Sequence, residues 1–258
     1  MFTRQMVKFR LFVKRIIERN PITIGIAEFF LLNLPFFLPH DNDYYAFPKL
    51  ASKDQGLFLD IGAADGRSIL SFHKFKKDWD IFSIEANPLH INNLNKIKTR
   101  IPKVEFMIRA VDQLSDKEVV LYTPTYYFFK LYASASTDLD LVKNNLRPLF
   151  GPGIRKRIRY IKSTAKTITI DQLNLSPDII KMDIEGGELN ALKGSINTIK
   201  RCSPDFLIEY NQDFGKICDF FKDFAYIPYG FDSDSLKFTE FREGKFRNCF
   251  FRPAGRSQ

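Results

Sequence analysis

Cysteine is scarce in this chain: its 258 residues hold three, Cys202, Cys218 and Cys249, widely separated and odd in number. No Cys-x-x-Cys pair and no Cys/His cluster is present, which excludes a disulfide framework and a zinc site and fits a reducing, cytoplasmic setting. No internal repeat is evident. Uninterrupted apolar runs are also missing. A membrane-crossing helix needs about 20 consecutive apolar residues, and the most apolar stretch, Ile22–Leu38, is broken by Glu28, Asn33 and Pro35. It starts late and no small-residue cleavage site follows it, so a cleavable export signal is not expected.

What remains is the composition of an enzyme-sized α/β chain. Hydrophobic residues make up 45% of the sequence, enough to bury a full core. The net charge of +9 favours anionic partners without naming one. The densest basic run is Arg155-Lys-Arg-Ile-Arg-Tyr-Ile-Lys162; runs of this kind are most often a solvated face. Residues 1–50 differ from the rest. Met1–Asn20 mixes Lys8, Arg10, Lys14 and Arg15 with apolar side chains, and the broken apolar stretch follows. We expect a helical extension that packs on the main domain or lies at a membrane surface, with residues 1–40 making any peripheral contact.

From residue 51 onward, strand-like and helix-like segments alternate, which predicts a mostly parallel, doubly wound, Rossmann-like sheet with helices on both faces. Strands are expected at 57–61, 81–85, 104–108, 118–122, 166–170, 178–183, 205–210, 226–231 and 246–251. Helices are expected near 67–76, 89–98 and 213–223. Leu189, Leu192, Ile196 and Ile199 form a stripe at helical spacing. The segment 123–165 has no convincing period and is read as a variable insertion facing the acceptor substrate.

The chemistry concentrates in Leu57-Phe-Leu-Asp-Ile-Gly-Ala-Ala-Asp-Gly66, an apolar strand entering a small-residue turn, and in Ile81-Phe-Ser-Ile-Glu85, a strand ending in an acid. Glycines at 62 and 66 let backbone approach a ligand, and Glu85 stands at the spacing where such folds place a carboxylate on a ribose diol. The turn is not G-x-G-x-x-G, and Asp60 and Asp65 flank it. Two carboxylates repel a diphosphate but suit a nucleoside ligand carrying positive charge. S-adenosylmethionine (SAM), with its sulfonium and α-amino groups, is such a ligand.

A third block, Lys181-Met-Asp-Ile-Glu-Gly-Gly-Glu-Leu189, strengthens this. With Asp60–Gly66, Ile84-Glu-Ala-Asn-Pro88, Ala110-Val111 before Ser115-Asp116, Thr169-Ile-Asp-Gln-Leu173 and Phe206-Leu-Ile-Glu-Tyr210, the chain resembles the FkbM-type methyltransferases over about residues 56–211. Ala64 stands where that family often has Asn, and Gly187 where it usually has Ala. The resemblance implies a seven-stranded class I methyltransferase sheet with one antiparallel strand, SAM as cofactor, and O-methylation of sugars or related hydroxyls. It makes residues 51–258 the methyltransferase domain.

On this basis Asp60, Gly62, Ala63, Asp65, Gly66 and Ser68 are expected to hold the methionine part of SAM, Glu85 and Ala86 the ribose, and Ala110, Val111 and Asp112 to border adenine. A sugar hydroxyl is weakly acidic and needs a general base or a divalent cation. Asp183 is the candidate base, and Asp183 with Glu209 could ligate Mg2+. Glu188 falls in the first turn of a helix, where a carboxylate favours the dipole. His40, His73 and His90 have no motif context and are expected at the surface. The acceptor would be a saccharide in glycan, lipopolysaccharide or glycolipid assembly, anionic or lipid-linked. The alternatives are RNA methylation and a non-catalytic SAM-binding scaffold. RNA is disfavoured: no RNA-binding module, Asn-Pro-Pro-Tyr motif or nucleophilic cysteine is seen.

Overall fold

Strands whose side chains are apolar at nearly every position belong in a sheet covered on both faces, because neither side of the pleat meets water. Phe58 and Ile179 join one core and their neighbours Leu59 and Ile180 join the other, the period of two that a doubly covered strand requires. The computed structural model describes residues 39–50, 53–127 and 129–256. The basic and apolar segments expected over residues 1–38 lie outside the described residues.

The chain divides into two compact units, one with residues 120–164 and the other running to residue 119 and again from residue 165. The larger unit opens with a 3-10 helix, Asn42–Lys49. It continues through β1 (Leu57–Ile61), α1 (Arg67–Phe75), β2 (Asp80–Glu85), a Pro88–His90 turn, α2 (Ile91–Arg100), β3 (Val104–Ile108) and β4 (Ala110–Val111). Next, β5 (Glu118–Tyr126) enters the smaller unit, which holds β6 (Phe129–Lys130), α3 (Leu139–Leu146), α4 (Pro152–Arg155) and most of β7 (Arg159–Ile168). The larger unit resumes with β8 (Ile179–Met182), α5 (Glu188–Lys193), α6 (Ile196–Cys202), β9 (Asp205–Glu209), α7 (Phe214–Lys222), β10 (Tyr226–Asp232), β11 (Lys237–Glu240) and β12 (Asn248–Pro253).

The main sheet runs β11-β10-β12-β9-β8-β1-β2-β3. Strands β3, β2, β1, β8 and β9 are mutually parallel, and β12 is antiparallel to both of its neighbours, β9 and β10. The seven expected strands are therefore present. β11, antiparallel to β10, adds an eighth at the edge; with Phe238 as its one buried residue it has too little apolar pattern to read in advance.

Aromatic side chains fill much of both cores. On one face Phe72 stacks on Phe58 at 4.1 Å and meets Phe47 and Trp79 edge-on at 5.1 and 5.6 Å. On the other, Phe221 stacks on Phe251 at 4.2 Å. The smaller unit has its own cluster around Tyr126, Leu131, Val142, Leu146, Phe150 and Ile158.

Three expectations are corrected. The stripe from Leu189 to Ile199 is two helices, not one. Gly194 ends the first because the chain presses on residue 112 there: an added Cβ would lie 2.6 Å from the Asp112 carbonyl oxygen. The strand expected at 166–170 runs instead from 159 to 168; its outer positions carry charge, so half of it looked like loop. His90 is buried where the Pro88–His90 turn closes on Asn87, its N–H donating to the Asn87 carbonyl at 3.1 Å. His40 is tied to α1 through Ser71 Oγ, 2.9 Å from its Nδ1.

Phe72→Ala should destabilise the protein by about 3–5 kcal/mol, since it empties the centre of a four-ring cluster. A shift of the denaturant midpoint at unchanged slope checks this.

Candidate active site

Lys181 is the one polar side chain in β8, and all four residues of that strand are buried. A lysine in such a setting needs countercharge. It has it: Nζ lies 3.3 Å from Asp60 Oδ1, donates to the Gly62 carbonyl at 3.3 Å, and lies 3.7 Å from Asp183 Oδ2. The side chains of Lys181 and Asp60 are 5% and 0% exposed, that of Asp183 36%. Burial alone would pull the Lys181 ammonium down, but Asp60, Tyr44 and Asp183 outweigh it and hold the group above its ordinary value. The second oxygen of Asp60 accepts from Ser68 Oγ at 2.5 Å. Ser68 is thus buried against Asp60, where it fixes the carboxylate.

The turn after β1 is bound to the end of β2. Gly62 and Ala63 donate to the Ile84 carbonyl at 2.9 and 3.3 Å, and Ala64 N–H donates to Glu85 Oε2 at 2.7 Å. Gly62 has φ +80°, and a Cβ there would lie 1.9 Å from the Asp183 carbonyl oxygen, so no other residue fits. The other oxygen of Glu85 accepts from Asn87 N–H at 2.6 Å. Burial pushes the Glu85 carboxyl up to about 7 against the pull of those two N–H donors. Beyond it, Arg109 N–H bonds the Glu85 carbonyl at 3.0 Å, which brings Ala110 and Val111 alongside the end of β2. Asp112 accepts from Gln113 and Leu114 N–H, and Asp65 is engaged by Arg67 Nε at 2.9 Å.

A second carboxylate group forms beside the first. Asp183, Glu185 and Glu209 can bring one oxygen each within 4.8 Å of one another. Desolvation, then Glu209, Asp183 and Glu188, push the Glu185 carboxyl up to about 7, although the residue as a whole is exposed. Glu209 is raised by burial and by Asp183, partly offset by Arg247, whose Nη2 lies 2.9 Å from Oε1. Glu188 is buried and acts within the turn. It accepts from Ile184 and Gly186 N–H at 3.0 and 3.4 Å and from Asn211 Nδ2 at 2.6 Å.

Several members of this neighbourhood carry no readable motif. The 42–49 helix brings Tyr44 into the field of Lys181, Asp60 and Asp183; burial raises its phenol. It also brings Asp43, which accepts from Asn248 Nδ2 at 2.7 Å and is pushed up to about 6 by burial. For Lys181 a signal did exist, a lysine inside an otherwise apolar strand. Two of the family-like blocks prove to be staples: Asp171 accepts from Thr198 N–H at 2.7 Å at the start of α6, and Ser115 Oγ accepts from Thr169 N–H at 3.1 Å.

A parallel sheet with its acids gathered at the carboxyl ends of β1, β2, β8 and β9 has the architecture of a class I methyltransferase. Residues 60–228 match the model of the methyltransferase FkbM domain, and the chain belongs to that family. No curated protein matches it. Its structure is similar to an FkbM methyltransferase from Methylobacillus flagellatus, at 16% identity and a TM-score of 0.50, over 82% of this chain and 50% of that one. The chain therefore spans half the length of that protein. An rRNA methylase from Streptococcus thermophilus (6% identity, TM-score 0.43, 83% of this chain and 93% of that one) and a SAM-dependent O-methyltransferase from Thermotoga maritima (9%, 0.43, 84% and 66%) are more weakly similar and carry no weight for function.

Two outcomes follow. Lys181→Met strands Asp60 as a buried charge and should cost about 3–5 kcal/mol, with part recovered in the Asp60→Asn/Lys181→Met double variant. The ligand-free protein should lose stability as pH rises from 4.5 to about 7, because the folded state holds the Glu85 proton over that window and the unfolded chain has released it. The loss from Glu85 is roughly 3 kcal/mol, and Glu85→Gln should flatten the profile measured by denaturant titration.

Proposed function

We propose that the chain is a SAM-dependent O-methyltransferase acting on a sugar hydroxyl in glycan, lipopolysaccharide or glycolipid assembly. One observation carries this reading: the Asp60–Lys181–Asp183 chain locks the glycine turn to the sheet and leaves Asp183 as its partly open end. Gly62, Ala63, Asp65 and Gly66 would form the cradle of the methionine part, with the buried Asp60 and Ser68 holding the turn in place through Lys181. Glu85, beside Ala86, accepts two backbone N–H bonds and retains lone pairs for the ribose hydroxyls. Ala110, Val111 and Asp112 would border adenine. Bound SAM supplies an electrophilic methyl on a sulfonium.

The protein then has two tasks, to align the acceptor oxygen and to take its proton. Asp183 takes the proton, and the adjacent Lys181 stabilises its position. Glu209, held by Arg247, supports Asp183 from the far side. The donor set of Asp183 and Glu209, with Glu185 beside them, also fits a hard divalent cation, since their crowding is a surplus of negative charge. A divalent cation held there would lower the pKa of the acceptor hydroxyl. In this reading the extension expected over residues 1–50 packs on the catalytic domain, as its 42–49 helix does through Phe47, or lies at the cytoplasmic face of a membrane through residues 1–40. Residues 51–258 are the catalytic domain, and 123–165 shapes the acceptor side. Among the described residues no helix is long and apolar enough to cross a membrane.

The test is transfer of labelled methyl from SAM into fractionated extract, with Mg2+ and with chelator. Label in the glycan or lipid-linked sugar fraction is expected; label in RNA would replace the substrate class. Asp183→Asn should lower turnover by about 10²–10⁴ while SAM affinity is retained, and full turnover in that variant would make Asp183 structural.

A further inference from the structure

Charge is unevenly divided along the chain. Residues 120–164 hold eight Lys and Arg against two Asp, so this segment carries +6 of the total +9. Four of those cations, Lys143, Arg147, Arg155 and Lys156, line a single cavity of about 360 Å³ in the smaller unit. That volume is in the range of small-molecule sites. Lys143 is partly neutralised by Asp140 at 2.9 Å. Arg155 is not: its Nε is buried, and among the described residues it has no hydrogen-bond acceptor. A buried guanidinium N–H without a partner is costly, and an anion in the cavity is the simplest way to satisfy it.

The rest of the wall is apolar. Leu146 and Ile158 belong to the unit's own core cluster, and Tyr160 packs against it. The cations are therefore mounted on a packed frame rather than on a free tail. Asp138 caps α3 through the N–H groups of Asp140 and Leu141, which fixes the helix that carries Lys143 and leads into Arg147.

We infer that this cavity binds the phosphate of a small phosphate ester. Guanidinium and ammonium groups share the lining of one cavity, where a phosphate could accept charge-assisted hydrogen bonds, and the aliphatic and phenol surfaces suit the organic part. A cavity of this size walled by the unit's own core favours a small ester over a nucleic-acid backbone, which tracks along an extended basic groove. The ester is either soluble or carried as a lipid headgroup. This inference stands apart from the methyl-transfer reading, and no residue of the carboxylate rim is part of it.

The full chain is titrated with inorganic pyrophosphate by calorimetry, and sedimented with phosphatidylcholine vesicles with and without phosphatidylglycerol. Saturable pyrophosphate binding that weakens about tenfold or more in Arg155→Gln and in Arg147→Gln, but not in the larger-unit control Lys200→Gln, supports a soluble ester. Sedimentation with the anionic vesicles alone, lost in the same two variants, supports a headgroup. Lys156→Gln, at an exposed position, serves if Arg155→Gln fails to fold, and SAM binding in each variant reports separately on the carboxylate rim. Binding of neither probe, binding that survives the substitutions, an equal loss in Lys200→Gln, or RNA binding without pyrophosphate binding would overturn the inference.

Discussion

Everything near the carboxyl edge of the sheet is organised around one buried ammonium. Lys181 and Asp60 face each other across the β1–β8 pairing, and the same nitrogen reaches the Gly62 carbonyl and Asp183. Charges removed from water are costly unless their partners are close and their remaining sites satisfied. Here one cation serves two carboxylates and a carbonyl, and Ser68 satisfies the remaining oxygen of Asp60. A strand pairing is thereby converted into a fixed arrangement of turn, strand end and exposed acid.

Around that ammonium the acids separate into two kinds by what they already hold. Glu188 and Asp60 are occupied by protein donors and act on the backbone and on Lys181. Asp183, Glu185 and Glu209 crowd one another and keep capacity for something else. Glu85 stands between: it ties Ala64 and Asn87 yet sits at a strand end with lone pairs to spare. The backbone is correspondingly unusual at these points, with Ala64 and Glu185 both at positive φ (47° and 55°) in turns held by their neighbours' hydrogen bonds.

The parallel half of the sheet was legible because its strands are buried on both faces and read as apolar runs ending in acids. The placing of Asp60, Glu85, Asp183 and Glu209 at one edge was legible for the same reason, since each lies within one residue of the end of such a run. Other parts were not. The split at Gly194 depends on the approach of residue 112, and the Asp43–Asn248 bond joins positions 205 apart, so no local pattern encodes either. β7 hid its first half in a basic run whose alternation shows only once its neighbours are known. The 42–49 helix, with little period of its own, passed as part of an extension although it brings Tyr44 to the rim.

The position of β12 sets an order on assembly. Because β12 lies between β9 and β10, the β10–β11 hairpin has no sheet neighbour until residues 248–253 arrive. As the chain is made, strands β1, β2, β3, β8 and β9 can pair first, and the emerging hairpin must wait beside an open edge at β9. Arg247, the partner of Glu209, directly precedes that last strand. Arg247 is thus brought to Glu209 by the same placement of β12 that closes the sheet between β9 and β10.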